Sequence, residues 1–241
     1  MLNVHSLETF GTHEGPGIRL VVFLQGCHFR CVYCHNPDTW KLGAGKEYTI
    51  EQIIKKAVDE KPYFGEKGGL TVSGGEPLIQ REELYNLFKK AHQNKINTVL
   101  DTNGSILDEK TKQLLRETDL VLLDIKHIDD GLHKKLTGVS NYMPLQFAEY
   151  LESIGKPFWV RYVLVPGYTD QKKFLRLLGK KLSQFKHMKR LEILPYHTYG
   201  AYKYKELRIE YPLAKVKPPN ADKIEEARAI LAKYILDVRV R

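Results

Sequence analysis

The 241-residue chain has only three cysteines, and none follows Cys34. Three thiols cannot all pair, so a disulfide-stapled scaffold is excluded, and so is a second thiolate cluster later in the chain. No apolar run approaches the ~20 residues that a membrane-spanning helix needs. The opening residues, MLNVHSLETFGTHEGPG, lack a basic stretch followed by an apolar one, so no secretory signal is expected. Repeats, low-complexity tracts and linkers are missing too, and KVKPPNAD at 215–222 comes nearest to a breaker segment. These absences point to a soluble, cytoplasmic single domain over 1–241. A hydrophobic content of 42% is enough for one substantial core, and α/β barrels of roughly 200–250 residues form single domains.

Acidic residues are scarce toward the C-terminus. Residues 172–241 hold 18 Lys and Arg against 7 Asp and Glu, whereas residues 1–171 hold 20 against 22. The whole excess behind the net charge of +9 therefore lies in the last third. A solvated lysine-rich surface accounts for this, and so does a face that steers an acidic protein. No nucleic-acid reading motif is recognisable, so nucleic acid is not an expected partner.

Apolar strands alternate with amphipathic helices. Strands are expected near 18–25, 69–73, 96–100, 119–123, 157–167 and 190–194. Helices are expected over 49–61, 81–94, 108–117, 129–138, 144–155, 170–185 and 220–234, with Thr49 and Asp170 as caps and Ile53, Ile54, Ala57 and Val58 on one buried face. This alternation predicts an α/β fold with a mostly parallel sheet and outer helices. About six units are too few for a closed eight-unit barrel, and they suit a partial (β/α)6 TIM-like barrel. Functional groups of such folds gather at the C-terminal ends of strands. The unusual residues follow the expected strands: the cysteines, SGGEP, DTNG, DIK and PYH.

Cys27, Cys31 and Cys34 have the spacing C-x3-C-x2-C. Thiolates select zinc, copper(I) or iron–sulfur clusters. A zinc site completed by His28 or His35 is open on spacing alone, although zinc knuckles usually come in pairs with a longer spacer. Gly74 and Gly75 would let backbone approach a ligand, or simply make a tight turn. Asp101 and Asp124 offer carboxylates and Lys126 a cation. A buried carboxylate calls for a partner, which a Lys126 ion pair with either Asp would supply. Arg161 offers a planar fork for a carboxylate, and His197 follows the last barrel strand.

The cysteine spacing, with aromatic Tyr33 before the last thiol, resembles the radical S-adenosylmethionine (SAM) superfamily. The resemblance implies a [4Fe–4S] cluster on Cys27, Cys31 and Cys34, with one iron left for SAM. It implies that Tyr33, Cys34 and His35 lie beside the cofactor and that Gly74, Gly75 and Glu76 hold its amino group. Asp101, Thr102 and Asn103, then Asp124, Ile125 and Lys126, would contact SAM, with Arg161 and His197 finishing the pocket. A monovalent cation is admitted near Asp101, Thr102 and Asp124.

Longer stretches, HSLETFGTHEGPGIRLVVFLQGCHFRCVYCHNPDTW, LVLLDIK, VRYVLVPGYTD, LEILPYH and VKPPN, are similar to the glycyl-radical enzyme activases that act on pyruvate formate-lyase. That resemblance implies hydrogen abstraction from a glycine on a loop of pyruvate formate-lyase. It implies a flavodoxin or ferredoxin-type reductant and a monomeric enzyme. EGPGIR would wall a peptide groove, with contacts from Glu14, Gly15, Gly17 and Arg19. Glu14 stands where Asp is usual. The eight-cysteine insert of many other activases is missing, which limits the chain to one cluster. A radical SAM activase of another glycyl-radical enzyme, or a radical SAM enzyme acting on a small molecule, is the alternative.

Overall fold

The computed structural model describes residues 1–241. In chain order the elements are β1 (Leu2–Gly11), β2 (Arg19–Leu24), β3 (Lys46–Tyr48), α1 (Ile50–Phe64), β4 (Gly69–Gly74), α2 (Arg81–Gln93), β5 (Asn97–Thr102), α3 (Glu109–Arg116), β6 (Leu120–Asp124), α4 (Asp130–Thr137), α5 (Tyr142–Ser153), β7 (Phe158–Leu164), α6 (Lys172–Leu182), β8 (Met188–Pro195), α7 (Ala201–Glu206), α8 (Ala221–Leu231) and β9 (Val238–Val240). Strand order is β3-β1-β2-β4-β5-β6-β7-β8-β9. Pairing is parallel for β2 with β4, β4 with β5, β7 with β8 and β8 with β9. β1 runs antiparallel to β2 and β3. The expected α/β class, with a mostly parallel sheet, is the one observed.

Residues 1–28 with 39–122 form one compact unit, and residues 29–38 with 123–241 form another. In the first, Leu20, Val22, Leu70, Val72, Val99 and Leu100 are fully buried strand residues. They are apolar on both faces because helices cover a parallel sheet. Thr49 caps α1 in a reciprocal box with Gln52. Ile53, Ile54 and Ala57 are buried, but Val58 lies on the open side of the helix and is exposed. Asp108 caps α3 through Thr111 N (2.9 Å) and receives the Arg81 fork (2.6–3.0 Å). That fork holds its carboxyl well below the usual range.

In the second unit β7 and β8 bury Phe158, Val160, Tyr162, Leu191 and Ile193, and α5, α6 and α8 contribute Phe147, Leu151, Leu175, Leu178 and Leu231. Asp170 does not cap α6; Gln171 holds that position without a side-chain bond. Asp170 instead accepts from Gly167 N (2.8 Å) and pairs with Lys223 (3.2 Å).

β1, β3, α7 and β9 were not expected. β1 mixes polar and apolar residues, and its alternation is broken by two register shifts against β2. β3 and β9 have three residues each and α7 six, too few to show a period.

Candidate active site

In the first unit the C-terminal ends of β2, β4 and β5 carry Cys27, Gly74–Glu76 and Asp101–Asn103. Leu24 stands in register with Gly74. Gly26, at φ +103°, turns the chain out of β2. Its N–H donates to Thr39 O (2.7 Å), and its carbonyl accepts from Glu76 N (2.8 Å). Gly75 N donates to Leu24 O (2.9 Å). A Cβ on Gly75 would lie 2.2 Å from Gly26 O and 3.2 Å from Cys27 Cβ. The glycine pair is thus required first by backbone packing against the cysteine loop.

Glu76 is fully buried. Oε1 accepts from Leu78 N (2.9 Å) and the Thr102 hydroxyl (2.6 Å), and Oε2 accepts from Asn103 N (2.8 Å). The carboxylate therefore ties the end of β4 to the end of β5 through neutral donors. Beside it Ser73 donates to Asp101 Oδ2 (2.7 Å), and Gly104 N donates to the Thr102 hydroxyl (3.0 Å).

The second unit holds Cys31 and Cys34. Cys34 N closes a turn on Cys31 O (3.0 Å), so both thiols leave one tight turn. Arg30 N and Val32 N pin the loop to Thr137 O and Leu136 O at the end of α4 (2.9 Å each). α7 clamps it from another direction. Tyr204 donates to Cys34 O (3.1 Å), and Lys203 reaches Asn36 (2.8 Å) and Asp38 (2.9 Å). A Cβ on Gly200 would lie 2.7 Å from His35 Cα. Sequence reasoning missed Lys203 and Tyr204. Their only signal is the tyrosine- and lysine-rich run YGAYKYKE directly after PYH.

Asp124 and Lys126 form the ion pair that was one of the readings above, at 2.7 Å. Burial opposes the Lys126 charge, but Asp124 prevails, aided by Tyr33 and Cys31, and the ammonium pKa is raised. Lys126 Nζ also stands 5.8 Å from the centre of the Tyr33 ring. The Tyr33 hydroxyl is buried with no hydrogen-bond partner, and burial raises its pKa. Ile125 is buried, and its N–H donates to Arg161 O (3.1 Å). Arg161 Nε lies 3.8 Å from Glu192. The His35 and His197 rings stack at 4.0 Å, and His35 Nε2 donates to His197 O (3.2 Å). Burial, and then the neighbouring His197, lower the His35 pKa to about 4. His28 is exposed.

One expectation is corrected. Arg19 cannot offer donors to a peptide. It is fully buried, and its guanidinium bonds Thr71 Oγ1 (2.6 Å), Pro16 O (2.9 Å), Lys67 O (3.1 Å), Leu70 O (3.1 Å), Asn97 O (3.2 Å) and Asn97 Oδ1 (2.9 Å). Five N–H groups have no further capacity. Burial lowers its pKa to about 10, a shift partly countered by Asp119. Glu14, Gly15 and Gly17 precede β2 at its N-terminal end. The six residues of β2 separate that end from the cysteine loop by roughly 17–20 Å.

The donor set suits an iron–sulfur cluster. The thiols form no disulfide and are soft. They issue from one short loop, and glycine backbone packs closely behind Cys27. Three thiolates leave one iron of a four-iron cube for another ligand.

Comparison with known proteins bears on these features together. Residues 21–178 match the Radical SAM superfamily. The chain is 48% identical over 236 residues to the pyruvate formate-lyase-activating enzyme of Streptococcus mutans, covering 95% of this chain and 90% of the relative. It is 44% identical to that of Staphylococcus epidermidis, covering 93% of each. Among solved structures, a domain of pyruvate-formate lyase-activating enzyme from Bacteroides vulgatus aligns with a TM-score of 0.62 and 25% identity, over 72% of this chain and 99% of that one. Streptococcus suis SuiB bound to precursor peptide SuiA aligns with a TM-score of 0.72 over 93% of this chain and 49% of SuiB. At 17% identity that likeness speaks for the fold alone.

Proposed function

The chain belongs to the radical SAM superfamily and, within it, to the pyruvate formate-lyase-activating enzymes, and on that premise we propose how its residues divide the work. The reaction is the installation of a glycyl radical on a partner protein, with a [4Fe–4S] cluster and SAM as cofactors. When bound, these would supply the one-electron chemistry by which a hydrogen atom is removed from glycine. The zinc reading is set aside with that membership.

Cys27, Cys31 and Cys34 hold the cluster, and α7 keeps the last two in place through Tyr204 and Lys203. Gly74, Gly75 and Glu76 receive the amino group of SAM. Glu76 acts mainly by bracing the two strand ends, since its oxygens are already engaged by Leu78, Thr102 and Asn103. Asp101, Asn103, Asp124, Ile125 and Lys126 position the remainder of SAM. Tyr33, His35, Arg161 and His197 complete its surroundings. The His35 and His197 rings stack on one another there. Glu14, Gly15 and Gly17 form the wall met by the glycine loop of pyruvate formate-lyase.

The reductant is a flavodoxin or ferredoxin-type protein drawn by the basic residues 172–241, and the enzyme acts as a monomer. No helix is long and apolar enough to cross a membrane, which agrees with work in the cytoplasm. The single observation that carries the reading is 48% identity across nearly the full length of both chains. The test is anaerobic incubation of reconstituted protein, SAM and reductant with pyruvate formate-lyase. A glycyl-radical EPR doublet is expected. Deoxyadenosine without the doublet would overturn the choice of partner, and loss of neither iron nor activity in a Cys31→Ala variant would overturn the cluster assignment.

A further inference from the structure

One face of β7 and β8 changes character level by level. Trp159 stands in register with Arg190, Arg161 with Glu192 and Val163 with Leu194, and alternate residues of a strand share a face. At the first level the Arg190 guanidinium lies 3.9 Å over the Trp159 ring. At the third, Val163 packs against the apolar cluster of Tyr33, Val165 and Tyr196, which Cys31 also adjoins. The middle level is charged. It stands beside the end of β6, because Arg161 O accepts from Ile125 N (3.1 Å), the residue between Asp124 and Lys126.

Glu192 is fully buried, and it divides its two oxygens. Oε1 meets Arg241 Nε (3.0 Å) and Arg190 Nη1 (3.6 Å), whereas Oε2 meets Arg161 Nε (3.8 Å). Arg190 and Arg241 each have another anchor. Arg190 pairs with Asp237 (3.0 Å), and Arg241 N donates to Ile193 O (3.1 Å). The contact with Arg161 is an ion pair and not a hydrogen bond, and Oε2 accepts no hydrogen bond. Away from bulk water, Coulomb attraction is still substantial at that separation. Glu192 thus draws on the guanidinium without taking one of its five N–H donors. Contact at Nε leaves the Nη1–Nη2 end of the planar fork, the end suited to a carboxylate, turned from the acid.

We infer that Glu192 is a positioning residue for SAM: it aims the Arg161 fork at the carboxylate of the cofactor and does not touch the cofactor itself. The inference rests on the assignment of Arg161 to the SAM pocket. Glutamine at position 192 keeps the size and removes the charge, so the fork loses the attraction that aims it. An acid that served only to join strands would change the stability of the protein and leave the SAM affinity of its folded form as it was.

The experiment measures SAM affinity of anaerobically reconstituted wild type, Glu192→Gln, Arg161→Ala and the double variant, read from the change that SAM causes in the EPR signal of the reduced cluster. Iron content, KM for SAM and kcat are measured in parallel. Glu192→Gln is expected to weaken SAM binding about tenfold, the size of one impaired hydrogen bond to a charged group. Iron content should be that of wild type, and the loss should fall on KM for SAM and not on kcat. In the Arg161→Ala background the same substitution should have no further effect, because Glu192 acts through Arg161. Wild-type affinity in Glu192→Gln, or a loss that adds in full to that of Arg161→Ala, would overturn the inference. Wild-type affinity in Arg161→Ala would instead overturn the assignment of Arg161 to the pocket. Should Glu192→Gln not fold, Glu192→Asp takes its place: it keeps the charge, withdraws it by one methylene, and is expected to weaken SAM binding several-fold, with wild-type affinity again overturning the inference.

Discussion

Each unit buries a glutamate completely, and the two are accommodated by opposite means. Glu76 accepts from two backbone N–H groups and one hydroxyl, all neutral. Glu192, on β8, is faced by Arg241 (3.0 Å), Arg190 (3.6 Å) and Arg161 (3.8 Å). Neutral dipoles fix the geometry of a carboxylate and leave its charge in place, whereas arginines cancel the charge and join strands by Coulomb attraction. The Glu76 arrangement suits a strand end that must hold a shape beside a ligand. The Glu192 arrangement gathers a residue from each of β7, β8 and the chain end around one acid. Arg19 repeats the first solution with the sign reversed: a buried cation held by carbonyls and a hydroxyl.

The largest expected effect bypasses this contrast. Cys34→Ala should abolish cluster binding and activation, read as lost iron and lost EPR signal, while urea unfolding of the cluster-free protein stays near wild type. Next, Glu192→Ala removes the carboxylate shared by three arginines, of which Arg190 keeps Asp237 (3.0 Å), and should destabilise by about 3–5 kcal/mol. Added salt should restore part of that loss by screening the cations. Glu76→Ala leaves three buried donors without their acceptor and should cost about 3 kcal/mol, with less recovery in salt than Glu192→Ala. Equal salt response of the two variants in urea titrations would break the comparison.

A smaller effect is pH-dependent and confined to the second unit. His127 and His133 are buried, and burial lowers the pKa of both below 6.5. The unfolded chain therefore binds more protons than the folded one below that pH. Stability is complete above 6.5 and is lost as pH falls toward the folded-state values. His127→Asn keeps an acceptor for Asp129 N, which His127 Nδ1 meets at 2.9 Å, and should flatten the slope of unfolding free energy against pH. An unchanged slope would show that His127 does not contribute. The smallest effect belongs to the exposed pair Lys90–Glu51, at 2.6 Å. Its double-mutant cycle should give no measurable coupling, because solvent screens the pair.

Much of this was legible beforehand because it is local. Apolar runs at 18–25 and 157–167, the Thr49 cap and the cysteine spacing are all short-range patterns. They led to parallel strands, helix starts and a three-thiol loop without reference to the remainder of the chain. Other features depend on contacts far apart in sequence. Arg19 reads as an available donor until Asn97, 78 residues away, is seen to engage it. Asp170 reads as a cap until Lys223 and Gly167 are seen to take it. α7 has too few residues to announce itself, yet it holds the cysteine loop across 170 residues of sequence through Tyr204 and Cys34.

The sequence by itself determined that three soft thiols stand together in one loop, because thiolate softness and spacing belong to the residues. It also determined the alternation of elements, because side-chain period is a local property. Only the tertiary structure decided which polar groups are still available for function. A hydrogen-bonding group can be spent once, and its partner is set by the fold: Glu76 and Arg19 are committed inward, and the turn at 14–18 is held through the Arg19 bond to Pro16 O and the Thr71 bond to Glu14 O.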